Sequence, residues 1–373
     1  MRMAPTGRIL GSALLLLTLA RASAAGAASL REAAGDKLLI GTAVSSRQLD
    51  NAAEAKLIAV QFSSATAENE LKPDQTEPRP GQFRFEAGDR IAEFAQQHQI
   101  AIIGHTLCWH QQTPRWMFQN DDGTPLPREQ ALANLRTHIT GVMGHFRGKV
   151  HGWDVVNEAL SMADNGPELR DTPALRAIGD DYIEQAFRFA HEADPDVELY
   201  YNDFGIEQPA KRDRAIRLVR RLRAAGVRVD AVGIQGHWSL KYPPASTIDE
   251  AIRAYRDAGI KVMITELDID VLPRRKRGPA IQGAVEAHAD PYHDGCPPDV
   301  LAEQATRYAD LFRVFLKYPD TITRVTLWGI HDGRSWLNYY PVRGRTNYPL
   351  LWDRQLTPKP ALGAVLDVLE HGK

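Results

Sequence analysis

Through most of this chain, short apolar runs rich in β-branched and aromatic residues alternate with longer stretches whose apolar positions recur at helical spacing. The short runs, at residues 38–44, 60–65, 100–107, 150–156, 198–202, 231–235, 261–267 and 323–328, read as buried parallel strands. The stretches between them, at 89–99, 128–146, 174–193, 212–225, 246–258 and 299–318, read as amphipathic helices, with a last helix over 361–369. Ile216, Val219, Leu222 and Val227 form one such stripe, and Gly226 and Gly259 stand where helices should stop. Eight strands alternating with helices predict an α/β fold, with a parallel sheet covered by helices. No glycine-rich phosphate turn follows the first strand, which weakens an open nucleotide-binding sheet. A single (β/α)8 TIM barrel is the preferred architecture, and barrel enzymes place their chemistry where strands end and loops begin.

The amino terminus breaks the pattern. Arg2 and Arg8 precede an apolar run over residues 9–20, followed by Ala22, Ser23 and Ala24. A charged start, a short apolar centre and a small-residue site predict a secretory signal peptide over residues 1–24, leaving a catalytic domain over 25–373. The expected location is therefore outside the cytoplasm, extracellular or periplasmic, with no membrane association once the signal is removed. No linker or low-complexity block follows, so no tethered second module is expected.

Charge narrows the class of partner. A net charge of −2 and a pI near 6.6 exert no long-range pull on nucleic acid or anionic lipid, and a neutral substrate such as a sugar suits them better. Of the two cysteines, Cys108 lies in an apolar run and is expected as a buried thiol rather than half of a bridge to Cys296. Asp290, His293, Asp294 and Cys296 cluster in a proline-rich loop, but their spacing matches no zinc pattern, so no metal and no cofactor is expected. The run Arg274–Arg277 reads as a solvated loop.

The strand ends carry the chemistry. They read ENELK at 68–72, GHTLCWH at 104–110, WDVVNE at 153–158, YNDF at 201–204, QGHW at 235–238, TELD at 265–268 and WGIHD at 328–332. Any one glutamate or tryptophan there has a bland explanation. Carboxylates, amides, imidazoles and indoles at strand end after strand end converge, in a barrel, on one mouth. Glycoside hydrolysis needs two carboxyl groups, one that donates a proton and one ionised, and Glu158 and Glu266 would face each other there. Trp109, Trp328 and Trp336 offer flat faces to a pyranose, while Asn69, Lys72 and Gln112 can serve its hydroxyls.

These motifs, in this order over essentially the whole mature chain, resemble those of family-ten glycoside hydrolases, the endo-β-1,4-xylanases. The resemblance implies cleavage of xylan with retention through a covalent glycosyl-enzyme. It implies Glu158 as acid/base, with Asn157 holding the sugar 2-hydroxyl and Asn202 as a neighbour of the acid/base. Glu266 corresponds to the nucleophile, oriented by His237, which Asp268 supports. Glu68, Asn69, Lys72, His105, Trp109, Gln112, Gln235, Trp328 and Trp336 fall on the substrate-binding surface. Phe204 stands where many relatives stack an aromatic, often tyrosine, on the leaving-side sugar. The run 337–345 after Trp336 resembles a longer insertion found in part of the family. Xylan and xylo-oligosaccharides are the expected partners, and a monomer the expected state. The rival readings are a hydrolase of another β-glycan and a polysaccharide-binding protein without activity.

Overall fold

A computed structural model describes residues 29–163, 166–273 and 290–372. The strands are β1 (Leu39–Val44), β2 (Ser64–Ala67), β3 (Ala101–Cys108), β4 (Val150–Asn157), β5 (Glu198–Asp203), β6 (Ala231–Ile234), the short β7 (His237–Ser239), β8 (Lys261–Asp270) and β9 (Ile322–Leu327). Each of β1 through β5 pairs in parallel with the next, β6 pairs with β8, β8 with β9, and β9 returns to β1. Leu39 sits opposite Arg324 at that last seam. The ring is closed, a (β/α)8 barrel, with β7 added beside the overhanging end of β8 through His237 opposite Asp268.

The helices cover the barrel because each buries one stripe. In Ala245–Asp257 the buried positions are Ile248, Ala251, Ile252 and Tyr255. Gly226 and Gly259 follow their helices at φ +74° and +68°, a left-handed turn that costs glycine nothing. The core runs between strands and helices, and a second small cluster of Ile103, Tyr200, Ala231 and Met263 fills the barrel interior. Space inside is tight: a Cβ on Gly233 would lie 2.3 Å from Asn202 Oδ1.

Three features depart from the sequence reading. The run 60–65 is not a strand from its start. Val60 belongs to helix Ala52–Gln61, capped by the Asn51 side chain, and β2 begins at Ser64. A short apolar run does not by itself separate a strand from a helix end. The helix expected over 174–193 is two, Pro173–Ile178 and Tyr182–Ala193, broken at Gly179 with φ +106°. The strand at 261–267 continues to Asp270, which is what gives β7 its partner. Cys108 is a buried free thiol, pushed up to about 12 by burial, and Cys296 is also free. The predicted signal segment and the basic run Arg274–Arg277 lie outside the described residues. Among the described residues no helix is long and apolar enough to cross a membrane, and no group of three or more potential ligands could hold a metal ion.

Candidate active site

The carboxyl ends of the strands enclose a cleft of about 320 Å³ lined by both Glu158 and Glu266. Glu158 leaves β4 with φ +57°, a conformation that costs a non-glycine residue about 1–3 kcal/mol unless the surroundings enforce it. They do: its backbone N–H donates to Asn202 O at 2.9 Å. On the facing strand, the Glu266 N–H donates to Gln235 O at 2.6 Å. Each carboxylate is thus anchored through the strand beside its own.

One amide ties the two together. Asn202 Nδ2 donates to Asn157 Oδ1 at 3.0 Å and to Glu266 Oε1 at 2.8 Å, while its Oδ1 accepts from Thr265 Oγ1 at 2.6 Å. The sequence reading put Asn202 beside the acid/base; the structure adds a direct bond to Glu266. Gln235 Nε2 donates to Glu158 Oε1 at 3.1 Å.

The two carboxylates have different electrostatic neighbours. Glu266 Oε2 lies 3.0 Å from His237 Nε2, and His237 Nδ1 lies 3.0 Å from Asp268 Oδ2. Burial alone would push the His237 imidazole down, but the charge and hydrogen bond of Asp268, joined by Glu266, carry it up to about 10. At neutral pH it is an imidazolium between two carboxylates. Burial likewise works to raise Glu266. The His237 hydrogen bond, the charges at His237 and His105, and the Asn202 amide outweigh it, so Glu266 is held below the ordinary carboxylate range. Trp336 Nε1 donates to the same Asp268 oxygen at 2.7 Å, which extends the relay to the loop after β9. Among the described residues no such cation is in direct contact with Glu158. Its nearest imidazole, His110, is 3.9 Å away and is pushed down to about 4, chiefly by burial with Arg170 adding to it, so it is neutral at neutral pH.

The remaining lining divides by origin. From β2, β3 and the loops after them come Glu68, Asn69, Lys72, His105, Trp109 and Gln112. Lys72 Nζ donates to Asn69 Oδ1 at 3.1 Å and Gln112 Oε1 at 2.8 Å, and lies 5.0 Å from the Trp109 ring centre. Its ammonium is lowered by burial against the opposing charges of Glu266 and Glu68, while burial raises Glu68 against the pull of Lys72. His105 is oriented by Asp154 at 2.8 Å and meets Trp328 edge-on. From β5 and the loop after β4 come Phe204 and Arg170.

Each site residue expected from sequence lines this cleft except Asn202 and Asp268, which stand behind it and hold those that do. The sequence reading missed Gln111, Arg170 and Tyr340 on the lining, and His110 beside Glu158. His110 and Gln111 adjoin Trp109, and their place in that strand-end motif was a usable signal. Tyr340 stacks on Trp336 with ring centres 5.4 Å apart, a contact only the fold creates. His331 and Asp332, in the strand-end string after β9, do not line the cleft. His331 Nδ1 accepts from Gly333 N at 3.1 Å, and buried Asp332 pairs with Lys359 at 3.0 Å. In the 290–296 loop, Asp290 Oδ1 accepts from Thr346 N at 3.0 Å.

Residues 29–368 match the profile of glycosyl hydrolase family 10. The chain belongs to that family. Among similar proteins, endo-1,4-beta-xylanase A of Xylanibacter ruminicola is 40% identical, over 96% of this chain and 97% of its own. Endo-1,4-beta-xylanase of Geobacillus stearothermophilus is 39% identical, over 91% of this chain and 98% of its own. Among solved structures, a GH10 endoxylanase from a sugarcane soil metagenome superposes with a TM-score of 0.85 at 38% identity, covering 91% of this chain and 99% of that one. Xylanase XynB of Paenibacillus barcinonensis, complexed with a conduramine derivative, gives a TM-score of 0.82 at 38% identity, with 91% and 98% covered.

Proposed function

We propose that this protein is an endo-β-1,4-xylanase that cleaves xylan with retention of configuration. The observation that carries the reading is the unequal treatment of two carboxyl groups in one aromatic-lined cleft. Glu266 is held ionised against an imidazolium, while Glu158 is held by a neutral amide. An ionised carboxylate suits a nucleophile, and a carboxyl group without a cationic partner suits a proton donor.

In the first step Glu158 protonates the glycosidic oxygen as a Glu266 oxygen bonds to the anomeric carbon, giving a glycosyl ester and a free leaving chain. In the second, water attacks that carbon, Glu158 takes its proton, and Glu266 leaves as the carboxylate. His237 keeps Glu266 anionic and aimed. Asn157, with its Oδ1 engaged by Asn202, has its amide N–H₂ left for a sugar hydroxyl. Trp109, Trp328 and Trp336 bear pyranose faces, and the Lys72–Asn69–Gln112 cluster reads hydroxyls. The names of the relatives favour xylan over other β-glycans, and rates on aryl xylobioside and aryl cellobioside compare the two directly. The amino-terminal pattern favours export of the mature chain, which we take to act as a monomer without a cofactor.

Glu158→Ala tests the acid/base role. On an aryl xylobioside with a good leaving group, the first step survives, the ester accumulates, and added azide restores turnover with a β-glycosyl azide as product. Unchanged turnover on xylan, or no response to azide, contradicts the assignment.

A further inference from the structure

Among the described residues, one charged group in the cleft has no ion-pair partner. Arg170 starts from a segment tied to the residue beside Glu158: its backbone N–H donates to Ala159 O at 2.8 Å, and Leu169 bridges Leu160. Its guanidinium lies 5.4 Å from the Phe204 ring centre, with Lys211 Nζ 4.1 Å from the same ring. Nε and Nη2 of Arg170 are buried and meet no acceptor among the described residues. Three described acids close to it in sequence or beneath the ring are committed elsewhere. Glu168 pairs with Arg217 at 2.6 Å, Asp171 with Arg176 at 2.6 Å, and Asp203 with Lys211 and the Tyr201 hydroxyl, both at 2.6 Å.

Magnitudes weigh against a purely structural role. Stacking a guanidinium on an aromatic ring returns about 0.5–1 kcal/mol, whereas buried donors left unpaired cost about 1–3 kcal/mol, and more when charged. The planar fork of a guanidinium matches a carboxylate. The neutral sugars of the backbone cannot supply that charge; an acidic side-chain sugar can.

We propose that Arg170 and Phe204 form an acid-reading subsite on the leaving side of the cleft, where the ring carries a pyranose and Arg170 pairs with the carboxylate of a uronic acid attached to it. The proposal rests on the xylanase reading and adds to it a class of decorated substrate and the residue that selects it.

The test uses two xylo-oligosaccharides that carry the same single uronic acid substituent, one intact and one with its carboxyl reduced to a neutral alcohol. The intact protein should favour the acid in kcat/KM by about tenfold, the lower range of a charge-assisted hydrogen bond, and the preference should shrink with added salt. In Arg170→Gln the ratio should fall to about one, and Arg170→Lys should keep part of it, since a point charge replaces the fork. A ratio near one in the unaltered protein overturns the proposal without any variant. So does a loss in Arg170→Gln that strikes both substrates equally, which would make Arg170 a support for Phe204. If the unaltered protein cuts neither substrate, the xylanase reading itself fails and this one falls with it.

Discussion

The two sides of the cleft handle buried charge in opposite ways. On the side built from β2, β3 and β8, the principal cations each meet a partner, although one oxygen each of Asp154 and Asp268 meets none among the described residues. Lys72 is met by Asn69 and Gln112, His105 by Asp154, and His237 by Glu266 and Asp268. On the side built from β5 and the loop after β4, Lys211 and Asp203 satisfy each other beneath Phe204, and Arg170 is left over. A matched network fixes a geometry in advance, as holding a nucleophile and a sugar ring in one attitude requires. An unmatched group has affinity in reserve for whatever arrives. The difference teaches that one fold can hold buried charge by two means, a network closed on itself and, at Arg170, donors left without a partner among the described residues.

The largest expected effect breaks the matched side. His237→Gln keeps a donor near Glu266 and removes the positive charge. We expect kcat to fall about 10²–10³-fold, the usual scale for losing one preorganised stabilising group. The pH dependence should change as well. A group raised to about 10 contributes stability in full below the ordinary imidazole value of 6.5, and that contribution drains away as pH rises from there through about 10. Glu266, held below its ordinary 4.5, contributes above that value and loses the contribution as pH falls through its lowered range. Melting temperature against pH should therefore decline on the alkaline side in the unaltered protein, and His237→Gln should lack that part of the decline. An identical alkaline profile in both would show that the His237 charge is not a stabilising element.

A smaller effect sharpens the other side. Phe204→Ala removes the ring that Arg170 and Lys211 flank. We expect KM on oligosaccharides that reach the leaving side to rise about 3- to 30-fold, the scale of one aromatic contact plus its buried area. Hydrolysis of an aryl glycoside too short to reach it should change little. Equal losses on both substrates would place Phe204 in the support of Glu158 rather than in a sugar site.

How far the sequence announced all this differs between the sides for the same reason. Glu158, Asn157, Glu266, His237 and Asp268 sit at strand ends, where a polar residue interrupts an apolar run and stands out. The barrel was legible because most of its strands are bounded by long amphipathic helices with clear stops, such as those at Gly226 and Gly259. Residues 60–65 misled because an apolar helix end at Val60 runs into a short strand at Ser64 with one residue-type pattern across both. Arg170 gave no signal. It is one arginine among many, in a loop without period, and its meaning lies in which acids fail to reach it. Asn202 was placed beside one carboxylate, but only the closed barrel brings β5 close enough to β8 for a single amide to hold both sides.

The claim on which the rest depends is that Glu266 forms a bond to sugar. Incubating the protein with an activated 2-deoxy-2-fluoro xylobioside, then digesting it and sequencing the peptides by mass spectrometry, tests it without a substitution. The account predicts time-dependent inactivation and one added fluoroxylobiosyl group, located on Glu266. Label on another residue, or continued xylan hydrolysis by fully labelled protein, would contradict it.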